Sequence, residues 1–226
     1  MPSAPLLAPA FAALQEERNR TWSTEALEAN GTQRRALLDA FDPSHVVAVG
    51  DVVPDARLLL ADGGEIHLRD LVTRGPAVLL LFRYASCPAD NIALPIYDQA
   101  LFSSLSALDV RLIAISPQVP ERLKGIADRH KLRLTIASDP DNSFARALGL
   151  VFTPIATPEP PPAGWVGEIT GTGTWELPQT SVLMVDSARI VRFVAVSPDW
   201  LDRVEPHVIA AAVERALSEP KEKAAA

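Results

Sequence analysis

Short, mainly apolar runs alternate along this chain with longer stretches in which apolar residues return every third or fourth position. Ala77–Phe82, Val110–Ile115, Leu134–Ala137 and Val182–Val185 are runs of four to six residues, the length of buried strands. Between them, Ala89–Leu108, Pro120–Lys131 and Ser143–Leu148 carry helical spacing, the last stopped by Gly149. Asp62-Gly63-Gly64 separates Arg57–Ala61 from Glu65–Leu68 and predicts a β-hairpin, followed by a turn of helix over Arg69–Arg74. A tight turn at Asp186-Ser187-Ala188 predicts that Val182–Val185 and Ile190–Val196 pair antiparallel, and Arg203–Leu217 reads as a closing helix. Pro95 falls inside the Ala89–Leu108 helix, where it removes a hydrogen bond and predicts a kink.

The flanks read differently. Phe11, Leu14, Arg18 and Trp22 share helical spacing, Ser23 is placed to cap a second helix through Ala29 that Gly31 would stop, and Gln33–Phe41 predicts a third. These helices form an arm that lies on the domain or on a partner subunit. Residues 153–173 are rich in proline and lack periodicity, which predicts a long loop serving as lid, binding loop or interface segment. The predicted organisation is an N-terminal helical extension (1–45), an α/β domain (46–218) and a frayed tail (219–226). Alternating strands and helices predict a central mixed sheet covered by helices on both faces, mainly parallel with an antiparallel edge: a thioredoxin-like fold.

Composition narrows the function classes. The 226 residues are 48% hydrophobic, enough for a sizeable core, and the net charge of −7 with a pI near 5.1 argues against nucleic acid as partner. No apolar stretch approaches a membrane span and the N-terminus lacks a secretory pattern, so a cytoplasmic protein without a membrane partner is expected. One cysteine excludes an internal disulfide, and the four histidines sit at no metal-ligand spacing, so neither metal nor cofactor is expected.

The chemistry concentrates in GPAVLLLFRYASCPAD, residues 75–90. A buried strand delivers Cys87 to a helix N-terminus, where backbone N–H groups favour thiolate over thiol. Arg83 would aid this electrostatically, while Asp90, one turn on, works against it. The alternative for Cys87 is a buried, inert thiol. Asp90 is either a general acid or base at the mouth of the loop or a solvated first-turn carboxylate that suits the helix dipole. Arg83 either binds an anionic substrate group or makes a structural ion pair. Ser86, Gln118 after the second strand, Thr180 and Trp175 are candidate substrate-binding residues. Gln118 shares the sheet end with Cys87, and Trp165 and Trp175 either wall a pocket or anchor the long loop, the latter preferred.

At these residues the chain resembles the peroxiredoxin-like branch of the alkyl hydroperoxide reductase/thiol-specific antioxidant family. The likeness also covers GDVVPDARLLLADGGEIHLRDLV, AISPQVPERL, ASDPDNSFARALGLVF and WELPQTSVLMVD. Many members carry Phe-Arg-Gly-Gly-Trp-Cys-Pro-x-Cys-Asn in the active loop. Phe82, Arg83, Cys87, Pro88 and Asn91 match it, Ser86 stands in place of the Trp, and Asp90 in place of the second cysteine. In peroxiredoxins a Thr-x-x-Cys motif would put the attacking cysteine at Asp90 and the threonine at Cys87. In thioredoxin-like reductases the first cysteine, here Cys87, attacks. Before the closing strand the family places a proline or an arginine, and Thr180 stands there, with Pro178 two residues earlier.

The resemblance implies a one-cysteine thiol oxidoreductase acting on a peroxide or a disulfide through Cys87, with an external thiol such as glutathione or a thioredoxin-like protein as reductant, and a homodimer. The departures imply the alternative of a redox-inactive relative that binds or converts a small pathway metabolite around Ser86, Cys87 and Asp90.

Overall fold

The computed structural model describes residues 5–218. Its centre is β3 (Ala77–Leu81), in which every residue is buried, as a continuous apolar run requires when both faces of a sheet are covered. β3 pairs in parallel with β4 (Arg111–Ser116), and β4 in parallel with β5 (Thr135–Ser138). All other pairings in the seven-stranded sheet are antiparallel. The hairpin β1 (Arg57–Leu60) and β2 (Glu65–His67) extends one edge from β5, and β8 (Thr180–Val185) with β9 (Val191–Ser197) extends the other from β3. The sheet is therefore mixed, with its parallel part confined to three strands.

Alternation along β3 sends side chains into two cores. Val78, Leu80 and Phe82 join a cluster with Leu94, Tyr97 and Leu101 of α4 (Pro88–Ala107), Leu123 and Ile126 of α5 (Pro120–His130), and Ile209 and Val213 of α8 (Pro206–Ser218). Ala77, Leu79 and Leu81 face the second cluster, with Leu68 and Leu71 of α3 (Leu68–Val72) and Phe144 of α6 (Ser143–Ala147). α4 runs through Pro95 as one helix of 20 residues. Asp98 ties its middle to the start of β5 by accepting from the backbone N–H groups of Arg133 and Leu134, both at 2.8 Å.

The N-terminal arm consists of α1 (Leu7–Thr21) and α2 (Thr24–Ala40). Ser23 caps α2, its Oγ accepting from Ala26 N. Where the sequence pattern predicts two helices broken at Gly31, α2 is continuous. A helical glycine costs only about 1 kcal/mol, and the second half of α2 is docked: Leu37 enters the first core and Arg34 holds Asp199 through two bonds of 2.8 and 2.6 Å. At the start of α1, Glu205 accepts from Leu7 N and Ala8 N at 3.0 and 2.8 Å, a carboxylate placed where the helix dipole is positive. Leu7 and Phe11 are buried in the same cluster as α4.

The proline-rich stretch is not wholly irregular. It contains α7 (Val166–Thr170), entered from Trp165 and ended by Gly171 at φ +79°. A two-stranded sheet, β6 (Val151–Phe152) with β7 (Leu177–Pro178), brings its ends together. These elements are too short to leave a periodic signal. The segment 219–226, expected to fray, lies outside the described residues. No helix among the described residues is long and apolar enough to cross a membrane.

Gly75 sets the entry to β3. It adopts φ +146°, and a Cβ there would lie 2.4 Å from the backbone oxygen of Asp109, next to the Arg111 N–H that donates to Pro76 O. Gly75→Ala therefore forces backbone against backbone. The expected loss is about 1–3 kcal/mol or more, read as a lower urea midpoint at unchanged slope.

Candidate functional site

The loop between β3 and α4 is pinned almost atom by atom. Phe82 N donates to Ile115 O, extending the sheet pairing past the strand. Ser116 Oγ donates to Arg83 O at 2.9 Å, and Gln118 Oε1 accepts from Ala85 N at 2.7 Å. Asn91 Nδ2 donates to both Ala85 O and Cys87 O, at 2.8 and 2.9 Å. A turn, with Cys87 N donating to Tyr84 O, brings Cys87 to the N-cap of α4. Pro88 then occupies the first helical position, where its fixed φ suits the helix and its missing N–H is no loss.

Asp90 closes this loop from inside. Its carboxylate accepts from Arg83 N at 3.1 Å, Tyr84 N at 3.3 Å and Arg203 Nη2 at 2.7 Å. Asp90 is fully buried and the Arg203 side chain is only 5% exposed. The solvated first-turn carboxylate weighed from sequence is thus corrected. The loop folds back over the first turn of α4, so its own N–H groups point at Asp90, and a cation from 113 residues away neutralises it. Removing one partner of such a buried pair costs roughly 3–5 kcal/mol.

Cys87 is 0% exposed. Arg83 Nη2 donates to its Sγ at 2.9 Å. The Arg83 guanidinium also stacks on Trp200, 4.4 Å from the ring centroid, and lies 5.7 Å from that of Tyr84. Burial pushes the Cys87 thiol above its ordinary pKa and the Asp90 charge pushes the same way, while Arg83 and Arg203 pull against them without prevailing. Burial also works against the Arg83 charge, but Cys87 and Asp90 outweigh it and hold Arg83 more firmly protonated.

The structure thus brings Arg83, Cys87 and Asp90 together. Gln118 is tied to their loop and, through Nε2, to Ile169 O at 3.1 Å, so it links the site to α7. Thr180 is buried, and its Oγ1 donates to Ser197 O at 3.0 Å. With Ser181, Tyr97 and Arg203 it lines a cavity of about 10 Å³, the scale of one water molecule. Ser86 is exposed on the outer side of the loop. Trp175 packs on Trp165, ring centroids 4.8 Å apart and planes tilted by 54°, beside α7.

Arg203, Arg18 and Trp200 belong to this neighbourhood and carried no signal of it in the sequence. Arg18 reads both as a member of the Phe11–Leu14–Trp22 helical spacing and, with Glu16, Glu17 and Arg20, as a polar residue of that helix, and Arg203 as the start of the last helix. Yet Arg18 is buried, with the charges of Cys87 and Arg83 acting on it, and Arg203 lies 5.6 Å from the Phe11 ring, under α1.

The AhpC/TSA family model matches residues 49–194. No curated protein matches the chain. Among solved structures it is similar to reduced Prx3 from Vibrio vulnificus at 22% identity and TM-score 0.60, covering 75% of this chain and 99% of that one. It is also similar to peroxidoxin BcpB from Mycobacterium tuberculosis at 19% identity and TM-score 0.56, covering 75% and 94%. A yeast mitochondrial 1-Cys peroxiredoxin, whose thiol is resolved through glutathione/thioredoxin systems, aligns at 16% identity and TM-score 0.55 over 76% of each chain. These structural likenesses speak to the thioredoxin-like peroxiredoxin fold. The family match runs from the entry to β1, through the Cys87 loop, into β9, and on that span the chain belongs to the AhpC/TSA family.

Proposed function

We propose that this protein is a one-cysteine thiol oxidoreductase that reduces a peroxide or a disulfide through Cys87. The observation that carries this reading is the 2.9 Å contact from Arg83 Nη2 to Cys87 Sγ at the N-cap of α4. A charged donor on sulfur, together with the first N–H groups of a helix, stabilises the thiolate that does the chemistry. With a peroxide, the thiolate attacks one oxygen and the O–O bond breaks. The other oxygen leaves with a proton as water or an alcohol, and sulfur is oxidised to sulfenic acid. An external thiol then forms an S–S bond to Cys87 with loss of water, and a second thiol exchanges with that bond, releasing a disulfide and reduced Cys87. The chain has one cysteine, so both thiols come from outside, from glutathione or a thioredoxin-like protein. A reducing cytoplasmic compartment suits a lone thiol of this kind.

Burial sets a condition on this cycle. Cys87 meets substrate only when its cover yields, and part of that cover is the arm, which docks through buried Leu7, Phe11 and Leu37 and through polar contacts at Glu205 and at the Arg34–Asp199 pair. A second reading rests on Asp90. It stands where the resemblance puts the family's second cysteine and is locked to Arg203. That favours a relative that binds or converts a small molecule without electron transfer.

Hydroperoxide consumption with glutathione separates the two. On the first reading the wild type turns over and Cys87→Ser falls to the uncatalysed rate. Equal turnover in both, or none in either, overturns it.

Alkylation of Cys87 against pH is expected to show a midpoint above the ordinary cysteine value of about 8.5. Asp90→Asn removes a charge that raises the thiol pKa and lowers the midpoint; Arg83→Met removes one that lowers it and raises the midpoint. Because the folded pKa lies above the unfolded one, the buried thiol's contribution to stability is complete below the ordinary cysteine range and is lost as pH rises through the folded value. Urea midpoints across that range should show this loss in wild type and not in Cys87→Ser.

Arg34→Ala releases the partly buried pair with Asp199. It should speed alkylation of native Cys87 several-fold at fixed pH while changing the urea midpoint by no more than roughly 1 kcal/mol of stability.

A further inference from the structure

Four side-chain nitrogens without a protein acceptor gather beside Cys87: Arg18 Nε and Nη1, Arg83 Nε and Trp200 Nε1. Their residues are 5%, 8% and 6% exposed, so each is more than nine-tenths buried. The three are neighbours. Arg83 stacks on the Trp200 ring, and Arg18 is near enough to Arg83 and Cys87 for their charges to act on it. The other cations here are already matched, Arg203 to Asp90 and Arg34 to Asp199. Arg18 and Arg83 form no ion pair with a carboxylate among the described residues; Arg83 has only the sulfur of Cys87, and Arg18 stacks on Trp22 at 4.8 Å.

Two buried guanidinium groups close enough for their charges to act repel each other, and each has given up hydration that nothing in the chain fully replaces. A fold keeps such a pair at low cost when an anion lies between them. Guanidinium and indole N–H groups are donors only, so the group they await accepts hydrogen bonds and accepts nothing else. Three side chains supply the donors, enough for the two oxygens of a small, singly charged planar oxyanion and few for the oxygens of a phosphate.

We infer that Arg18, Arg83 and Trp200 form a buried receptor for the carboxylate of a small organic molecule, on the α1 side of Cys87. Arg18 and Trp200 lie outside the 49–194 span that matches the family, so two of its three residues are additions to the family's common segment. The receptor takes its third wall from the arm, and a bound carboxylate bridges α1 to the loop that carries Cys87. This inference concerns binding and stands whether or not Cys87 turns over.

The test uses the full chain with sodium benzoate as probe, in the absence of peroxide and thiol. The chain has four tryptophans, so its four indole N–H resonances can be resolved by NMR and that of Trp200 assigned as the one lost in Trp200→Phe. Benzoate should shift the Trp200 resonance saturably, and neutral benzamide should not. Arg18→Gln should weaken benzoate binding at least about tenfold. Should Arg18→Gln fail to fold, Arg18→Lys, which keeps the charge and loses the planar donors, should still weaken it measurably. An unmoved Trp200 signal, an equal response to benzamide, or unchanged affinity in the folded Arg18 variant would overturn the inference. Peroxide turnover enters none of these readouts, so a failed thiol cycle leaves them intact.

Discussion

The buried pair of Asp90 and Arg203 is the interaction on which the site depends. It joins the first turn of α4 to the segment before α8, and through Asp90 it holds the backbone N–H groups of Arg83 and Tyr84. Those N–H groups belong to a loop that lies between a strand edge and a helix start, where no sheet or helix partner would satisfy them. A carboxylate in the interior does so, and it is tolerable there because Arg203 neutralises it. Fixing Arg83 in turn fixes where its guanidinium reaches Sγ. The charge that modulates the thiol and the scaffold that positions it are therefore the same side chain.

This arrangement places Cys87 between opposed influences. The helix start and two guanidinium groups favour a thiolate, while complete burial and the Asp90 charge favour the thiol, and in the closed molecule burial prevails. Burial depends in part on the arm, because Leu7, Phe11 and Leu37 share the cluster that covers Cys87. A small opening that admits water would weaken the desolvation penalty while leaving the hydrogen-bonded positions of Arg83, Asp90 and the helix start intact. On the proposed thiol cycle, access for substrate and readiness of the thiol are coupled through that opening.

Most of the order of strands and helices from β1 to α8 was legible because most of these elements leave a local period in the chain. Ala77–Phe82 announced a fully buried strand, and Cys87-Pro88 a helix start. The hairpin at Asp62-Gly63-Gly64 was equally local. What stayed hidden depends on distance in sequence. Asp90 looked like an exposed first-turn acid because its partner is Arg203, and nothing near Asp90 says that a loop will curl over it. Arg18 read as a polar helix face because helical periodicity reports spacing and not what covers that face. Gly31 looked like a helix stop because its propensity is local, whereas the docking of Leu37 and Arg34 that overrides it is tertiary. α7 and the β6–β7 pair were too short for any period to register.

The arm illustrates why the site cannot be understood from the family-matched span alone. Leu7, Phe11 and Leu37 share one hydrophobic cluster with Cys87, Leu94 and Tyr97, so the helices that precede β1 are part of the core that buries the thiol. They also bring Arg18 and Arg34 toward a region that already holds Arg83 and Arg203. The nearby acids, Asp90, Asp199 and Glu205, are each committed: to Arg203 and the loop, to Arg34, and to the start of α1. A core that gains a guanidinium from the arm without gaining a carboxylate has an unbalanced positive charge beside its one thiol. The proposed thiolate and the inferred carboxylate would each offset that imbalance, and both would do so beside the same guanidinium, Arg83.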